Sequence, residues 1–176
     1  MSDLFCFILP GLNNSGPRHW QTRWEELYGF IRIHQRDWDT PVCEDWVHTV
    51  NEVTAPFPPE STILIGHSSS CCAIAHWAGK YPRNIKGALL VAPSDVEAPG
   101  YPPGTRGFTP MPLSPLPFPS LVVASSDDVY VSMERAAYFA GKWGSAFTNI
   151  GRKGHINSAS GLGDWPEGYE LLKELM

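Results

Sequence analysis

Gly66-His67-Ser68-Ser69-Ser70 stands between a short apolar run and a stretch rich in alanine and other small residues. Three consecutive hydroxyls in that setting suggest the nucleophile of an acyl transfer. A sharp strand-to-helix turn pushes such a hydroxyl outward and crowds the residues two before and two after it. Both of those must then be small, and Gly66 and Ser70 meet the requirement around Ser68. Reading Ser69 as the nucleophile puts His67 and Cys71 in the crowded places; reading Ser70 puts Ser68 and Cys72 there. Both fit worse, because glycine is lost from the first position. Ser70 stands where the pattern has its second glycine, so its Cβ adds crowding. The competing expectation is an ordinary helix start, where serines act as caps.

A serine needs a base, and the base an orienting carboxylate. Of the six histidines, His155 follows "GRKG" after the last weak apolar segment and precedes "INSASGLGDW". That is where a strand-and-helix fold delivers such a base. His67 is expected to pack beneath the turn, His76 to be core or surface, and His19, His34 and His48 to be structural or exposed. The acid belongs between serine and histidine in chain order. The run Ser120–Ser125 ends in Ser126-Asp127-Asp128, and Asp128 is the expected partner of the imidazole. Asp127 is expected to cap the turn or bond backbone, with Asp95 a weaker alternative. Two N–H donors are needed for an oxyanion. Ser69 at the helix start supplies one, and Leu12 in the loop Pro10–Pro17 the other, although ordinary Gly/Asn turn chemistry also explains that loop. Asn13, His67, Tyr101 and Phe108 are the expected borders of a substrate pocket.

Positioning these residues requires buried strands and amphipathic helices in alternation. Leu4–Leu9, Phe30–Ile33, Thr62–Ile65, Gly87–Ala92 and Ser120–Ser125 are short apolar runs, with Ala146–Ile150 a weaker one. Continuous apolar runs suit strands covered on both faces. Between them lie helical stretches: His19–Tyr28 with Trp20, Trp24 and Leu27 on one face; one capped by Thr40 with Pro41 at its first position; Ser69–Tyr81; Ser132–Trp143; and Pro166–Met176. The alternation predicts a three-layer α/β/α fold around a mostly parallel sheet of about six strands, in a single domain over residues 1–176. Residues 93–119 break the rhythm with nine of the 17 prolines. So long a loop in a compact domain is usually functional or disordered; it is expected either to wall a binding site or to serve as a rigid crossover. Tyr101, Phe108, Met111, Leu113 and Phe118 within it suggest a short apolar acyl group.

Composition narrows the function class. With 43% hydrophobic and 18% charged residues and no long apolar run, the 176-residue chain reads as a globular protein without a membrane span. A net charge of −5 with no Lys/Arg cluster argues against nucleic acid or an anionic membrane as partner. The start MSDLFCFILPG reads as a first strand and not as a signal peptide. With no CxxC among four cysteines and no secretion signal, reduced thiols in the cytoplasm are expected. Cys72 and His76 stand four apart, but no further ligand stands at metal spacing, so no metal is expected. The chemistry outlined needs no organic cofactor.

Taken together, these segments resemble the small serine hydrolases of the YdeN and retinoblastoma-binding protein 9 family. The resemblance runs through "LPGLNNSGPRHWQTRWE", "IGHSSSCCAIAHWA", "GALLVAPSDVEAPGY", "LPFPSLVVASSDDVYVSMERA" and "KGHINSASGLGDWPEG", nearly the whole chain. It implies a compact α/β-hydrolase fold without a large cap, and esterase-like activity on a small ester or amide. It also puts nucleophile, acid and base at Ser68, Asp128 and His155, as the residues themselves suggest. Ser70 departs from the glycine usual in bacterial relatives. The pocket-protein partner suggested by the human relative's name needs L-x-C-x-E, and "TPVCEDW" around Cys43 lacks it. The alternative, from a different class, is a catalytically weak or inactive binding protein that keeps the fold.

Overall fold

The computed structural model describes residues 4–176; Met1 to Asp3, included in the expected domain, lie outside the described residues. Six strands form one parallel sheet: β1 (Phe5–Leu9), β2 (Ile31–Arg32), β3 (Thr62–His67), β4 (Gly87–Val91), β5 (Ser120–Ala124) and β6 (Ala146–Asn149). Their order is β2-β1-β3-β4-β5-β6. The chain therefore leaves β1 in one direction to build β2, returns across it to β3, and continues the other way. Ligands in open parallel sheets bind at such a reversal, outside the carboxyl ends of the strands.

Alternate side chains of each strand feed two cores. Phe7, Leu9, Leu64, Leu90 and Val122 pack with α2 (Cys43–Thr54), α3 (Ser69–Lys80) and α4 (Met133–Trp143). Cys6, Ile8, Ile63, Ile65, Leu89 and Val123 pack with Trp20 and Trp24 of α1 (Trp20–Tyr28) and with Trp165 and Leu172 at α5 (Pro166–Lys173). This is the expected three-layer arrangement. β3 and β4 are buried at every position, which is why their sequences are apolar without alternation. At the edge, β6 is largely exposed and its signal weaker.

Two local expectations are corrected. Thr40 does not cap α2. Its hydroxyl and N–H donate instead to Asp37, and Val42 is the residue before the helix. Pro41 is drawn out of the helix by Arg106, whose N–H donates to the Pro41 carbonyl. Leu27 remains exposed, and Gln21 takes its place on the buried face of α1. The segment 93–119 holds no helix or strand. Its Phe108, Met111 and Phe118 anchor it in the core on the α2–α3 side.

Candidate active site

Ser68 ends β3 and opens α3 with φ 61° and ψ −126°. Such a backbone is costly for a residue with a side chain and persists only where its surroundings enforce it. Here the Ser68 N–H donates to the Val91 carbonyl at 2.9 Å, and the Cys71 N–H to the Ser68 carbonyl at 3.0 Å. The turn places Ser68 Oγ 2.8 Å from His155 Nε2. On the far side of the ring, His155 Nδ1 lies 2.8 Å from Asp128 Oδ2 and 3.0 Å from Oδ1. The Asp128 side chain is fully buried and also accepts the Tyr130 N–H at 2.8 Å. The carboxylate therefore holds a proton on Nδ1, which leaves Nε2 free to accept from the Ser68 hydroxyl.

The loop carrying His155 has no regular structure, and its position comes from neighbours. Asp127 Oδ1 accepts the Gly154 N–H at 2.8 Å and the Ser125 hydroxyl at 2.9 Å. Those bonds lower its pKa from the ordinary carboxylate value, the Gly154 N–H contributing most. Ser125 Oγ takes the Lys153 N–H at 2.9 Å, and the Ser126 N–H donates to Gly151 at 2.9 Å. From the other side, Trp20 Nε1 donates to the Ile156 carbonyl at 2.8 Å, and His67 Nε2 to the His155 carbonyl at 2.9 Å. A carbonyl only accepts, so the His67 proton sits on Nε2. Burial drives the His67 pKa well below the ordinary imidazole value, which keeps the ring neutral.

The β1–α1 loop closes against Ser68. A Cβ on Gly11 would lie 2.7 Å from Ser68 Cβ and 3.0 Å from the His67 carbonyl, so glycine is required there. A Cβ on Gly66 would lie 2.7 Å from Ile74 Cδ1, the movable tip of a side chain. Crowding before Ser68 is thus real but softer than the turn pattern implies. Ser70, the residue in the place of a glycine, donates its hydroxyl to the Pro10 carbonyl and so ties α3 to this loop. Gln21 spans the reversal itself. Its amide donates to the Leu9 carbonyl at 3.2 Å and the Ile65 carbonyl at 3.1 Å, and its Oε1 accepts from Ser15 at 2.7 Å. The Leu12 and Ser69 N–H groups have no acceptor among the described residues.

A cavity of about 560 Å³ opens over these groups. Leu12, Asn13, His67, Ser68, Ser69, Tyr101 and His155 line it. Phe108, an expected pocket residue, does not. It is 2% exposed and packs on Trp46, because the proline-rich segment turns inward there. Met111 and Phe118 are likewise core residues, so of the side chains expected to form an apolar acyl slot only Tyr101 lines the cavity among the described residues. That segment divides the two roles considered for it: Ser94, Tyr101 and Pro102 face the cavity, and the rest crosses over as packing.

Ser94, Gln21 and His19 were missed by sequence reasoning. Ser94 Oγ lies 2.8 Å from Ser68 Oγ; its position just after β4, at a carboxyl strand end, was the available signal. His19 caps α1, its Nδ1 accepting from the Gln21 N–H at 3.1 Å, and lines the cavity. Burial lowers its pKa to about 3, so it too is neutral. Asp95 pairs with Arg135 at 2.7 Å and is not part of the constellation. Cys72 Sγ and His76 Nε2 both lie 3.2 Å from the Phe108 carbonyl, and no cluster of three metal-ligating side chains occurs among the described residues. All four cysteines are buried free thiols.

A family model described as serine hydrolase matches residues 6–174. Among solved structures, a YdeN-like hydrolase from Pectobacterium atrosepticum matches with TM-score 0.85 and 33% identity, over 98% of this chain and 90% of that one. The ydeN gene product of Bacillus subtilis matches with TM-score 0.78 and 19% identity, over 98% of both chains. The carboxylesterase CesB of the same organism matches with TM-score 0.65 and 15% identity, over 99% and 83%. No curated protein matches the chain.

Proposed function

The chain belongs to the serine hydrolase family, and we propose that it cleaves a small carboxylic ester or amide through an acyl-enzyme on Ser68. The observation that carries this reading is the unbroken chain of 2.8 Å contacts from Ser68 Oγ through His155 to Asp128. His155 Nε2 takes the hydroxyl proton as Oγ bonds to the substrate carbonyl carbon, and the carbonyl π pair moves onto oxygen. The Leu12 and Ser69 N–H groups receive that oxyanion, with the N-terminal end of α3 adding favourable potential. Collapse of the adduct expels the alcohol or amine, which takes the proton from Nε2. Water then attacks the acyl-enzyme by the same route. The net reaction adds one water across the acyl bond and releases a carboxylic acid and the alcohol or amine. No metal or organic cofactor takes part.

A serine at position 70 in place of glycine and the lack of an evident acyl pocket in the sequence would favour the binding-protein alternative. The Ser70–Pro10 bond gives that side chain a place in the turn, and the cavity provides the room; both support the enzyme reading. A cytoplasmic setting accords with the buried free thiols. The expected partner is the small-molecule substrate. Incubation with a fluorophosphonate probe is the direct test. Wild type should be labelled, and Ser68→Ala and His155→Ala should not. Absence of labelling in folded wild type overturns the proposal.

A further inference from the structure

The cavity wall indicates which substrates would be preferred. Of the side chains expected to form an acyl slot, Phe108, Met111 and Phe118 lie in the core and Tyr101 faces the cavity, where Asn13, Asn14, Asn157 and Ser158 add polar groups to the wall. Arg18 is the one permanently charged residue lining the cavity among the described residues, and no carboxylate lines it. Arg18 is exposed, and its guanidinium makes no hydrogen bond or ion pair within the described residues. Most other arginines have structural work. Arg23, Arg32, Arg135 and Arg152 pair with carboxylates, and Arg83 bonds the Thr54 hydroxyl and the Phe57 carbonyl. Arg18 thus places an uncommitted cation on the wall of the cavity that holds the reacting serine, in a protein whose net charge is −5.

Resting on the hydrolase reading above, we infer that Arg18 selects esters or amides that carry a carboxylate. A guanidinium presents a planar fork of donors that matches the two carboxylate oxygens. The anionic end would pair with Arg18 at the rim while the acyl carbon sits at Ser68. An exposed pair of this kind contributes modestly and is weakened by salt. Its effect is discrimination between substrates rather than acceleration of chemistry.

The test compares p-nitrophenyl hemiglutarate with neutral p-nitrophenyl valerate, whose acyl chains are equally long. The ratio of kcat/KM for the anionic ester to that for the neutral one is internal to each protein, so loss of folded enzyme cancels. Arg18→Gln should lower that ratio about five-fold, mainly through KM, and Arg18→Glu should lower it further. Raising salt should lower it in wild type. A ratio equal in all three proteins overturns the inference, even with both esters turned over. A binding arm is independent of turnover. Ser68→Ala should bind monomethyl glutarate by calorimetry, and Ser68→Ala/Arg18→Gln should bind it about five-fold more weakly. Equal binding overturns the inference. Absence of turnover with that difference intact overturns the acyl-transfer reading alone.

Discussion

Asp127 and Asp128 are adjacent carboxylates with different work. Asp128 points to the imidazole and Asp127 to the backbone of the loop that delivers it. Asp128→Asn keeps the shape but supplies no negative charge and favours the wrong imidazole tautomer. Turnover of an activated ester should fall by about 10⁴, as for the equivalent change in other serine hydrolases. Asp127→Ala frees the Gly154 N–H and the Ser125 hydroxyl. The misplaced loop should then cost roughly ten- to a hundred-fold in kcat. Steady-state kinetics of both variants rank them, and the reverse order would assign the acid to Asp127. Ser94 Oγ and His155 Nε2 each lie 2.8 Å from Ser68 Oγ. With Ser68 donating to His155, Ser94 must be the donor of their 2.8 Å contact.

At the scale of elements, two loops and one helix define the site. The proposed oxyanion donors come from the start of α3 and from the β1–α1 loop, and Ser70 joins these two elements through the Pro10 carbonyl. Ser70→Ala leaves that carbonyl without its partner, which costs about 1–3 kcal/mol when the group stays buried. Chemical denaturation should register that loss, and kcat should fall while KM changes little; Ser70→Thr, which keeps the hydroxyl, should recover part of both. The two glycines of this region should respond differently. Gly11→Ala drives a methyl into Ser68 Cβ and the backbone behind it, whereas Gly66→Ala meets only the tip of Ile74. Fluorophosphonate labelling rates should therefore drop far more in Gly11→Ala. Equal losses would mean that Ile74 cannot yield.

The molecule as a whole packs three histidine rings in series beneath the cavity. His19 and His67 have centroids 4.7 Å apart, and His67 and His155 4.9 Å. Burial holds the first two below histidine's ordinary value, His19 at about 3. In the unfolded chain each takes up a proton as pH falls through about 6.5. The unfolded state then binds more protons than the folded one. Stability is therefore complete above that value and is lost toward pH 3, by up to about 1.4 kcal/mol per pH unit for each ring. His19→Asn keeps a capping side chain and removes one titration. Its melting temperature should decline less steeply from pH 7 to pH 5 than that of wild type; equal slopes would remove His19 from the account.

Much of this protein is legible in the order of its residues. Local periodicity determines elements, so β3 and β4 read as buried strands and Ser132 as the cap of α4. Turn sterics are local too, which is why Ser68 stands out among three serines. Chain order, together with strand ends, brought Asp128 and His155 forward, and the folded chain sets both within hydrogen-bond reach. Contacts between segments far apart in sequence leave no such trace. Gly11 against Ser68, Ser70 on Pro10, Gln21 across the carboxyl ends of β1 and β3, and Phe108 turned into the core all depend on where separate loops meet. Periodicity describes which face of one element is apolar. Close packing between elements decides which side chain fills the remaining space, and only the tertiary structure reveals that.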